Sequence, residues 1–569
     1  MAFNHRKYRP GPRITLPDRR WPDQVITQAP RWVSVDLRDG NQALRRPMDV
    51  AHKQRLWDLL VHIGLKEIEV GFPAASQPDY DFVRTLIDSG AIPDDVCIQV
   101  LVQAREDLIV RTFQALEGVP RAIVHVYNST SPVQRDWVFG RDRAGVKGIA
   151  CQGAEWVVRE ATRYPDTDWT FQYSPESFTA TELDYAIEVC NAVVDLWQPT
   201  PEQPCILNLP ATVEVSSPNV FADQIEAFTR GIDRRDALVL SVHPHNDRGG
   251  AVAAGELALL AGADRVEGTL LGNGERTGNL DLVTLAMNLY SQGIDPGLDL
   301  SDPQAMMAVV EDCTDIPTHP RHPWVGELVY TAFSGSHQDA IGKCLKRQHP
   351  DAPWQVAYLP IDPGDLNRDY QAVIQVNSQS GKGGMAFVLE HEFGLNLPVW
   401  LRRELAPMVQ RASEAANGLI DAHSIRALFV SEFIRDRHPV ALHGLTLTAQ
   451  GPERLELCLG TSAGERQVIG TGQGVIEAFG NAWSQAFGGT FAVLDYQEHA
   501  IGAGTEAEAA AYVLIEQDGQ RSAGAAIDRD TLAAAIRALL SALNRASLAS
   551  ASRTDVASAA QSPAQRLAA

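Results

Sequence analysis

Long apolar runs are missing from the sequence, which nowhere places about 18 uncharged apolar residues in succession. We therefore expect no membrane-spanning helix and no membrane partner. The amino terminus is basic but lacks an apolar segment behind its charges, so we expect no secretory signal.

Cysteine is scarce. The seven cysteines are an odd number, stand far apart and form no Cys-x-x-Cys pair. This spacing argues against a disulfide framework and against a cysteine-bound zinc, and it is typical of a reducing compartment. We expect a cytoplasmic protein.

Positively charged residues are fewer than negatively charged ones: 49 Lys and Arg against 71 Asp and Glu give a net charge of −22. An acidic surface repels phosphate backbones, which argues against nucleic acid as a partner. The apolar fraction of 45% is ordinary for a globular protein. At about 100–200 residues per domain, the 569 residues predict three or four domains.

Short apolar or β-branched runs recur through the first half of the chain, with helix-period stretches between them. This alternation predicts βαβ units and a parallel sheet. The eight runs are 32–37, 67–72, 97–102, 122–127, 169–173, 205–209, 238–242 and 265–270. Eight units in about 250–290 residues match the size of a (β/α)8 TIM barrel. The alternative is a doubly wound sheet, whose Gly-rich phosphate turn the chain does not show after its first run.

Changes in composition divide the chain into five predicted segments. They are an N-terminal arm (1–30), the barrel (31–320), a linker region that begins loop-rich and ends helical (321–435), an α+β domain (436–547) and a disordered tail (548–569). Within the α+β domain, the pattern predicts helices over 474–487, 506–514 and 531–547 and strands over 441–449, 453–459 and 491–496.

Polar residues follow most of the predicted barrel strands, at the rim where active residues of this fold lie. His243 and His245 stand two apart at a strand end, so both imidazoles point to the same side. With a carboxylate from Asp39 and an amide oxygen from Asn279, they predict a mixed nitrogen and oxygen site for a divalent ion. About two open positions would suit a bidentate 2-oxo acid.

Each of these residues also has a structural interpretation. A lone His-x-His is a weak motif, and Arg38 with Asp39 is equally consistent with an ion pair at the rim. Asn279 is suited to capping the helix that follows it. Glu176 and His125 would, taken singly, be a loop carboxylate and a core histidine. Their joint position at one rim favours a site.

Four barrel segments carry a resemblance to a known family. They are ValAspLeuArgAspGlyAsnGlnAla (35–43), GluIleGluValGlyPhePro (67–73), HisProHisAsnAspArgGly (243–249) and GlyAsnGlyGluArgThrGlyAsn (272–279). They resemble the acyl-CoA Claisen-condensing barrels, which include 2-isopropylmalate, homocitrate and citramalate synthases and their lyase relatives. Later segments at 334–341, 359–363, 377–384 and 495–500 are similar to the long-form 2-isopropylmalate synthases. The resemblance covers about residues 30–515.

The resemblance implies a reaction, which is condensation of acetyl-CoA with 3-methyl-2-oxobutanoate and thioester hydrolysis, the committed step of leucine biosynthesis. It implies a homodimer and a divalent ion, with Mg²⁺ the first candidate, Mn²⁺ or Zn²⁺ as alternatives and K⁺ as a candidate activator. The implied ligands are Asp39, His243, His245 and Asn279.

The resemblance also implies roles for residues around that ion. Arg38 would stabilise the developing oxyanion, Glu176 would order the acetyl group or Arg38, and Thr212 would bind the oxo-acid carboxylate. His125 and Ser174 would line the same pocket. His337 and Tyr370 would reach the partner subunit's barrel, with His337 as the candidate base.

The C-terminal domain resembles a leucine-sensing module. The implied pocket residues are Ile476, Val493, Tyr496, Ala500, Ala507 and Ala509. Two positions depart from the family pattern: Gln473 replaces an asparagine, and the anionic Glu477 stands where the family has a small residue. Feedback inhibition by leucine is therefore a hypothesis, and a domain that only dimerises is the alternative.

Three other functions stay open at this point. Homocitrate or citramalate synthase would use the same chemistry on another 2-oxo acid, and a second substrate carboxylate would require a further cation, such as Arg105 or Arg111. A lyase would run the reverse reaction, against which the C-terminal module argues. A catalytically inactive amino-acid-binding regulator would lack the metal site.

Overall fold

The computed structural model describes residues 4–9, 11, 13–368, 382–416, 420–434, 439–449 and 451–560. The chain divides into two compact units, which are Met1–Val329 with Asp365–Asn367, and Tyr330–Gly364 with Arg368–Ala569. In the described part of the chain, no helix combines the length and apolarity that crossing a bilayer requires.

The first unit contains eight parallel strands that close into a barrel, as the sequence predicts, with β1 paired to both β2 and β8. The strands are β1 Arg31–Ser34, β2 Glu67–Gly71, β3 Cys97–Gln103, β4 Arg121–Ser129, β5 Asp168–Glu176, β6 Cys205–Ala211, β7 Leu238–Pro244 and β8 Arg265–Gly268. The TIM-barrel fold class is confirmed, and the doubly wound alternative is wrong.

Helices follow the strands and surround the barrel. They are α1 Val50–Ile63, α2 Gln77–Asp88, α3 Glu106–Ala115, α4 Arg143–Ala161, α5 Leu183–Trp197, α6 Pro218–Gly231, α7 Ala251–Leu260, α8 Leu282–Tyr290 and α9 Pro303–Thr314. Aspartate caps start several of them: Asp49, Asp142 and Asp281 each accept a hydrogen bond from a backbone N–H in the first turn. These caps fix where the loops above the barrel end.

The first strand ends earlier than the apolar run predicts. After Ser34 the chain turns into one wide helical turn, Asp36–Gly40, in which the Val35 carbonyl accepts hydrogen bonds from the N–H groups of Asp39 (2.9 Å) and Gly40 (3.1 Å). Wide turns of this kind are frequent at functional sites. Here the turn carries Arg38 and Asp39.

In the part that the structure describes, the second unit starts with four α-helices and continues with two three-stranded antiparallel sheets, each followed by a helix. The elements are α10 Gly335–Leu345, α11 Lys382–Phe393, α12 Val399–Ala415, α13 Ala422–Phe429, β9 Val440–Ala449, β10 Glu453–Thr461, β11 Gly464–Gly472, α14 Val475–Phe487, β12 Ala492–Ile501, β13 Glu508–Gln517, β14 Gln520–Asp528 and α15 Thr531–Ala560. The α+β class of this domain is confirmed.

The helix predicted over 506–514 is wrong, because this segment belongs to strand β13. The strand is covered on both faces: Ala511 and Val513 pack in the core beneath α15, whereas Ala510 and Tyr512 pack in the core of α11–α13. A strand buried on both sides shows a continuous apolar run rather than alternation. The alanine-rich run of this strand therefore led to the incorrect prediction of a helix.

Helix α15 packs closely on the sheet and continues to Ala560, past the boundary at 547 that composition predicts. At Gly524 of β14, an added Cβ would lie 2.3 Å from the Ala538 carbonyl oxygen and 2.4 Å from the Ala542 nitrogen. The small residues of this sheet are thus required by the close approach of a helix backbone.

We expect Gly524→Ala to destabilise the second unit by about 1–3 kcal/mol, because the added methyl meets backbone atoms that cannot move separately. Gly480→Ala is the matched control: its Cβ meets only the Phe491 ring, at 3.9 Å. Removing a helical glycine there should stabilise by up to about 1 kcal/mol. Calorimetric midpoints test this, and equal midpoints for the two variants would contradict it.

Candidate active site

Three buried side chains converge at the carboxyl end of the barrel. The Nε2 atoms of His243 and His245 lie 3.0 Å and 3.5 Å from Oδ2 of Asp39. In the described part of the chain, these residues form the one group of three or more His, Cys, Asp or Glu side chains close enough to share an ion. Asp39 comes from the turn after β1, His243 from the end of β7, 204 residues further along, and His245 from just past that strand.

Asn279 is brought to the same place by backbone pairing. Asn279 itself forms an isolated antiparallel bridge with His245, and the Leu280 N–H donates to the Pro244 carbonyl at 2.8 Å. The Asn279 Nδ2 donates to the Asn273 carbonyl at 3.1 Å, which leaves its Oδ1 buried without a hydrogen-bond partner.

The donor set fits a divalent ion. One buried polar atom at the site, Oδ1 of Asn279, has no hydrogen-bond partner, although buried polar groups nearly always find one. Imidazole nitrogens, a carboxylate and an amide oxygen are ligands for a hard or borderline divalent ion. The chemistry of these side chains therefore matches the sequence-predicted metal site.

The titration behaviour of the cluster reflects its crowded charges. Burial alone would raise the pKa of Asp39, but the Arg38 guanidinium and the hydrogen bond to His243 hold it well below its ordinary value. Burial disfavours the charged form of His243, yet hydrogen bonds to Asp39 and Glu267 raise its pKa to about 9. Burial and the charge of His243 lower the pKa of His245 to about 4.

Arg38 lies beside the cluster and is held by two carboxylates. Its Nε donates to Oε1 of Glu69, and its Nη1 lies 3.2 Å from Oδ1 of Asp39. Burial opposes its charge, but these carboxylates raise its pKa above the ordinary value. Arg38 is thus a fixed cation at the edge of the cluster.

A cavity of about 220 Å³ opens above these side chains. Eight of the predicted residues line it, namely Arg38, Asp39, His125, Ser174, Glu176, Thr212, His243 and His245. The sequence analysis gave no role to the other lining residues, which are Gln42, Phe72, Leu101, Tyr127, Asn208, Pro210, Glu275 and Arg276.

The predicted pocket residues hold one another through hydrogen bonds. His125 lies 2.7 Å from the Ser174 hydroxyl through Nε2 and 3.1 Å from Glu69 through Nδ1. The Ser129 hydroxyl donates to Glu176, and the Thr212 hydroxyl oxygen accepts from the backbone N–H of residue 177 at 2.9 Å. The side chains facing the cavity are therefore fixed in orientation.

A buried polar network beneath the cavity also escaped the sequence analysis. Arg265 donates to Glu267 (2.7 Å) and Gln99 (2.6 Å), and Gln99 in turn donates to Glu69 (2.5 Å). A usable signal existed: these polar residues interrupt apolar strands at positions that face the barrel interior, where a packed core is ordinarily apolar. Arg105 and Arg111 do not line the cavity; Arg105 pairs with an aspartate two residues away.

Two predicted catalytic residues belong to another part of the chain. His337 lies in the second unit, on α10, where its ring stacks on Tyr358 with centroids 3.9 Å apart. Tyr370 lies outside the described residues. The catalytic roles of both stay predictions.

The residues predicted to sense leucine do not all meet. Ile476 and Val493 line one cavity of the second unit, of about 670 Å³, between α14 and the start of β12. Ala500 and Ala509 face each other across β12 and β13, and Tyr496 and Ala507 also lie outside that cavity's lining. The unusual Glu477 accepts a hydrogen bond from the Gln473 backbone N–H at 2.7 Å.

A closed (β/α)8 barrel with an Asp-His-His cluster at the carboxyl ends of its strands defines a barrel enzyme with a candidate metal site. Residues 29–310 match the HMGL-like family model. Residues 327–390 match the post-catalytic domain of alpha-isopropylmalate synthase, and 419–547 match the LeuA allosteric (dimerisation) domain.

Curated relatives agree with these matches. The 2-isopropylmalate synthase of Azotobacter vinelandii is 55% identical over 93% of this chain and 95% of its own. Those of Alcanivorax borkumensis and Pseudomonas fluorescens are 53% and 54% identical, over 94% and 93% of this chain and 96% and 95% of theirs. The chain belongs to the 2-isopropylmalate synthase family and is an enzyme.

Asp36, at the start of the turn that carries Arg38, gives a pH-dependent prediction. Burial raises its pKa to about 7, although hydrogen bonds from Ser34 and the Leu270 N–H favour its charged form. The folded barrel therefore keeps a proton that the unfolded chain loses near pH 4. Between about pH 4 and 7, stability should fall as pH rises, by at most about 1.4 kcal/mol per unit.

We expect Asp36→Asn to remove this contribution, because an amide cannot ionise. Denaturant unfolding of both proteins at about pH 5 and pH 7 measures it, with a smaller loss of unfolding free energy expected for the variant. Parallel losses in the two proteins would show that Asp36 does not titrate in this range.

Proposed function

We propose that the protein condenses acetyl-CoA with 3-methyl-2-oxobutanoate and hydrolyses the thioester, which yields 2-isopropylmalate and CoA. The observation that carries this proposal is the cluster of Asp39, His243 and His245 beside the Arg38 guanidinium in one cavity. The name of the relatives supports the same reaction. In this role the protein begins the committed route to leucine.

We propose that Asp39, His243, His245 and Asn279 hold a divalent ion, with Mg²⁺ as first candidate, Mn²⁺ or Zn²⁺ as alternatives and K⁺ as a candidate activator. When bound, such an ion supplies Lewis acidity toward the keto group of the oxo acid.

The chain's own residues then bind the oxo acid and receive its charge. As the acetyl carbon bonds to the keto carbon, negative charge develops on the keto oxygen, and Arg38 stabilises it from a fixed position. Thr212 donates its hydroxyl hydrogen to the substrate carboxylate. Phe72 and Leu101 supply apolar surface of the lining for a branched aliphatic chain.

A proton must also leave the acetyl methyl group, which is a very weak acid. We propose that His337 is the base and that Tyr370 has a catalytic role in the same step, in a homodimer. His125 and Ser174 line the pocket, and Glu176 orders the acetyl group. Water then cleaves the thioester, which releases a carboxylate and the CoA thiol.

The alternative oxo acids with a second carboxylate find little support in the lining. The cations that line the cavity are Arg38 and Arg276. Arg38 is paired with Glu69 and Asp39, and Arg276 donates to Asp247 at 2.7 Å. A doubly charged oxo acid would have to compete with these carboxylates.

The decisive assay measures thiol release from acetyl-CoA with a panel of 2-oxo acids, with the divalent ion first added and then chelated. We expect the highest kcat/KM with 3-methyl-2-oxobutanoate and loss of turnover after chelation. A preference for 2-oxoglutarate or pyruvate would overturn the substrate assignment, and turnover that is indifferent to chelation would overturn the metal assignment.

We expect His243→Ala to lose divalent-ion binding and at least about 1,000-fold in kcat, because a ligand and its ion are removed together. Its thermal unfolding should stay cooperative. The control is His62→Ala, at an exposed position of α1. Calorimetric titration with Mn²⁺ and steady-state rates test both variants, and retention of ion binding by His243→Ala would contradict the assignment.

We propose that leucine inhibits the enzyme through the second unit, at the cavity that Ile476 and Val493 line. Millimolar leucine should lower the initial rate, and Val493→Arg should raise the half-inhibiting concentration at least about tenfold, because the long arginine side chain would occupy the cavity that Val493 lines. Leu494→Arg is the matched control, since Leu494 is 43% exposed and does not line the cavity.

No response of the unmodified protein to leucine would leave dimerisation as the role of this domain. Equal shifts in the two variants would place the leucine site elsewhere.

A further inference from the structure

The two ring nitrogens of His243 have different carboxylate partners. Nε2 faces Asp39 at 3.0 Å, on the cavity side, whereas Nδ1 lies 2.7 Å from Oε2 of Glu267. A histidine ligand needs one nitrogen free of hydrogen to bind an ion, and the partner of the other nitrogen decides which one that is. The identity and fixation of that partner therefore bear directly on ion binding.

Glu267 is held so that it can only accept hydrogen bonds. It is fully buried on β8, and its Oε1 accepts from Arg265 Nη1 and Gln172 Nε2, each at 2.7 Å. Its Oε2 accepts from Asn208 Nδ2 at 3.3 Å as well as from His243. A carboxylate surrounded by donors, one of them a guanidinium, draws the imidazole hydrogen to Nδ1 and leaves Nε2 as the ligating atom.

We propose that Glu267 is the positioning residue of the metal centre, which fixes the orientation and tautomer of His243 so that Nε2 faces the ion. This inference rests on the proposed function, because it presupposes that the Asp39–His243–His245 cluster holds a divalent ion. Glu267 itself touches neither the ion nor the substrate and acts through His243.

The alternative is that Glu267 serves only to stabilise the structure, and a second carboxylate beside the same arginine provides the control for it. Arg265 is completely buried and requires negative partners. Glu67 is its other carboxylate, with Oε2 at 2.6 Å from Arg265 Nε, but it does not contact His243. If Glu267 served only to neutralise Arg265, replacing Glu67 or Glu267 by glutamine would have similar consequences for ion binding.

The experiment compares Glu267→Gln with Glu67→Gln, which make the same change of charge around the same arginine. Each protein is stripped with EDTA, dialysed and titrated calorimetrically with Mn²⁺, and thermal unfolding is recorded in parallel. We expect the Kd for Mn²⁺ to rise about 10- to 100-fold in Glu267→Gln, as for other partners of ligating histidines, and less than about threefold in Glu67→Gln.

A wild-type Kd in Glu267→Gln, or equal weakening in both variants, would overturn the inference. If Glu267→Gln does not fold, Glu267→Asp replaces it, because it keeps a charge for Arg265 but withdraws the carboxylate from His243. A Kd raised at least about fivefold then supports the inference, and a wild-type Kd overturns it. Absence of Mn²⁺ binding by the unmodified protein would overturn the metal centre itself, and this inference with it.

Discussion

Charge buried inside the barrel is the constraint on which the site depends. Arg265, Glu267 and Glu69 lie in the interior with no exposed side-chain area, and Arg38 is nearly as deep. Burying an isolated ionised group at such a depth would cost more than the net folding free energy of a domain, so each group must be paired and hydrogen-bonded. Such pairing adds little net stability compared with an apolar core. The main effect of this pairing is on the geometry of the site, because each buried partner fixes the direction in which a cavity-facing side chain points.

The location of the site follows from how the barrel closes. Parallel strands present all their carboxyl ends at one rim, so Asp39 after β1 meets His243 at the end of β7 despite the length of chain between them. The wide turn after β1 carries Asp39, and the backbone pairing between His245 and Asn279 adds two further candidate ligands that no strand carries. The strands thus position the site, and irregular backbone at their ends carries some of its side chains.

The second unit packs its core differently from the barrel. Two small sheets and their helices share one core, and the second sheet is also covered by α11–α13. Close helix packing demands small residues, as the contacts at Gly524 illustrate. Residues 419–547 of this region match the LeuA allosteric (dimerisation) domain model.

The order of apolar runs and turns determined the barrel, because strand and helix periodicities are local properties of the chain. The same local pattern placed Asp39, His125 and the His-x-His pair at the rim. It misassigned β13, since a strand covered on both faces has no alternation to read. The partners of Glu69 and Glu267, and the unsatisfied oxygen of Asn279, were decided only by the tertiary structure. Pairing between buried charges depends on which strands become neighbours when the barrel closes. The local periodicity of the sequence contains no information about these neighbours.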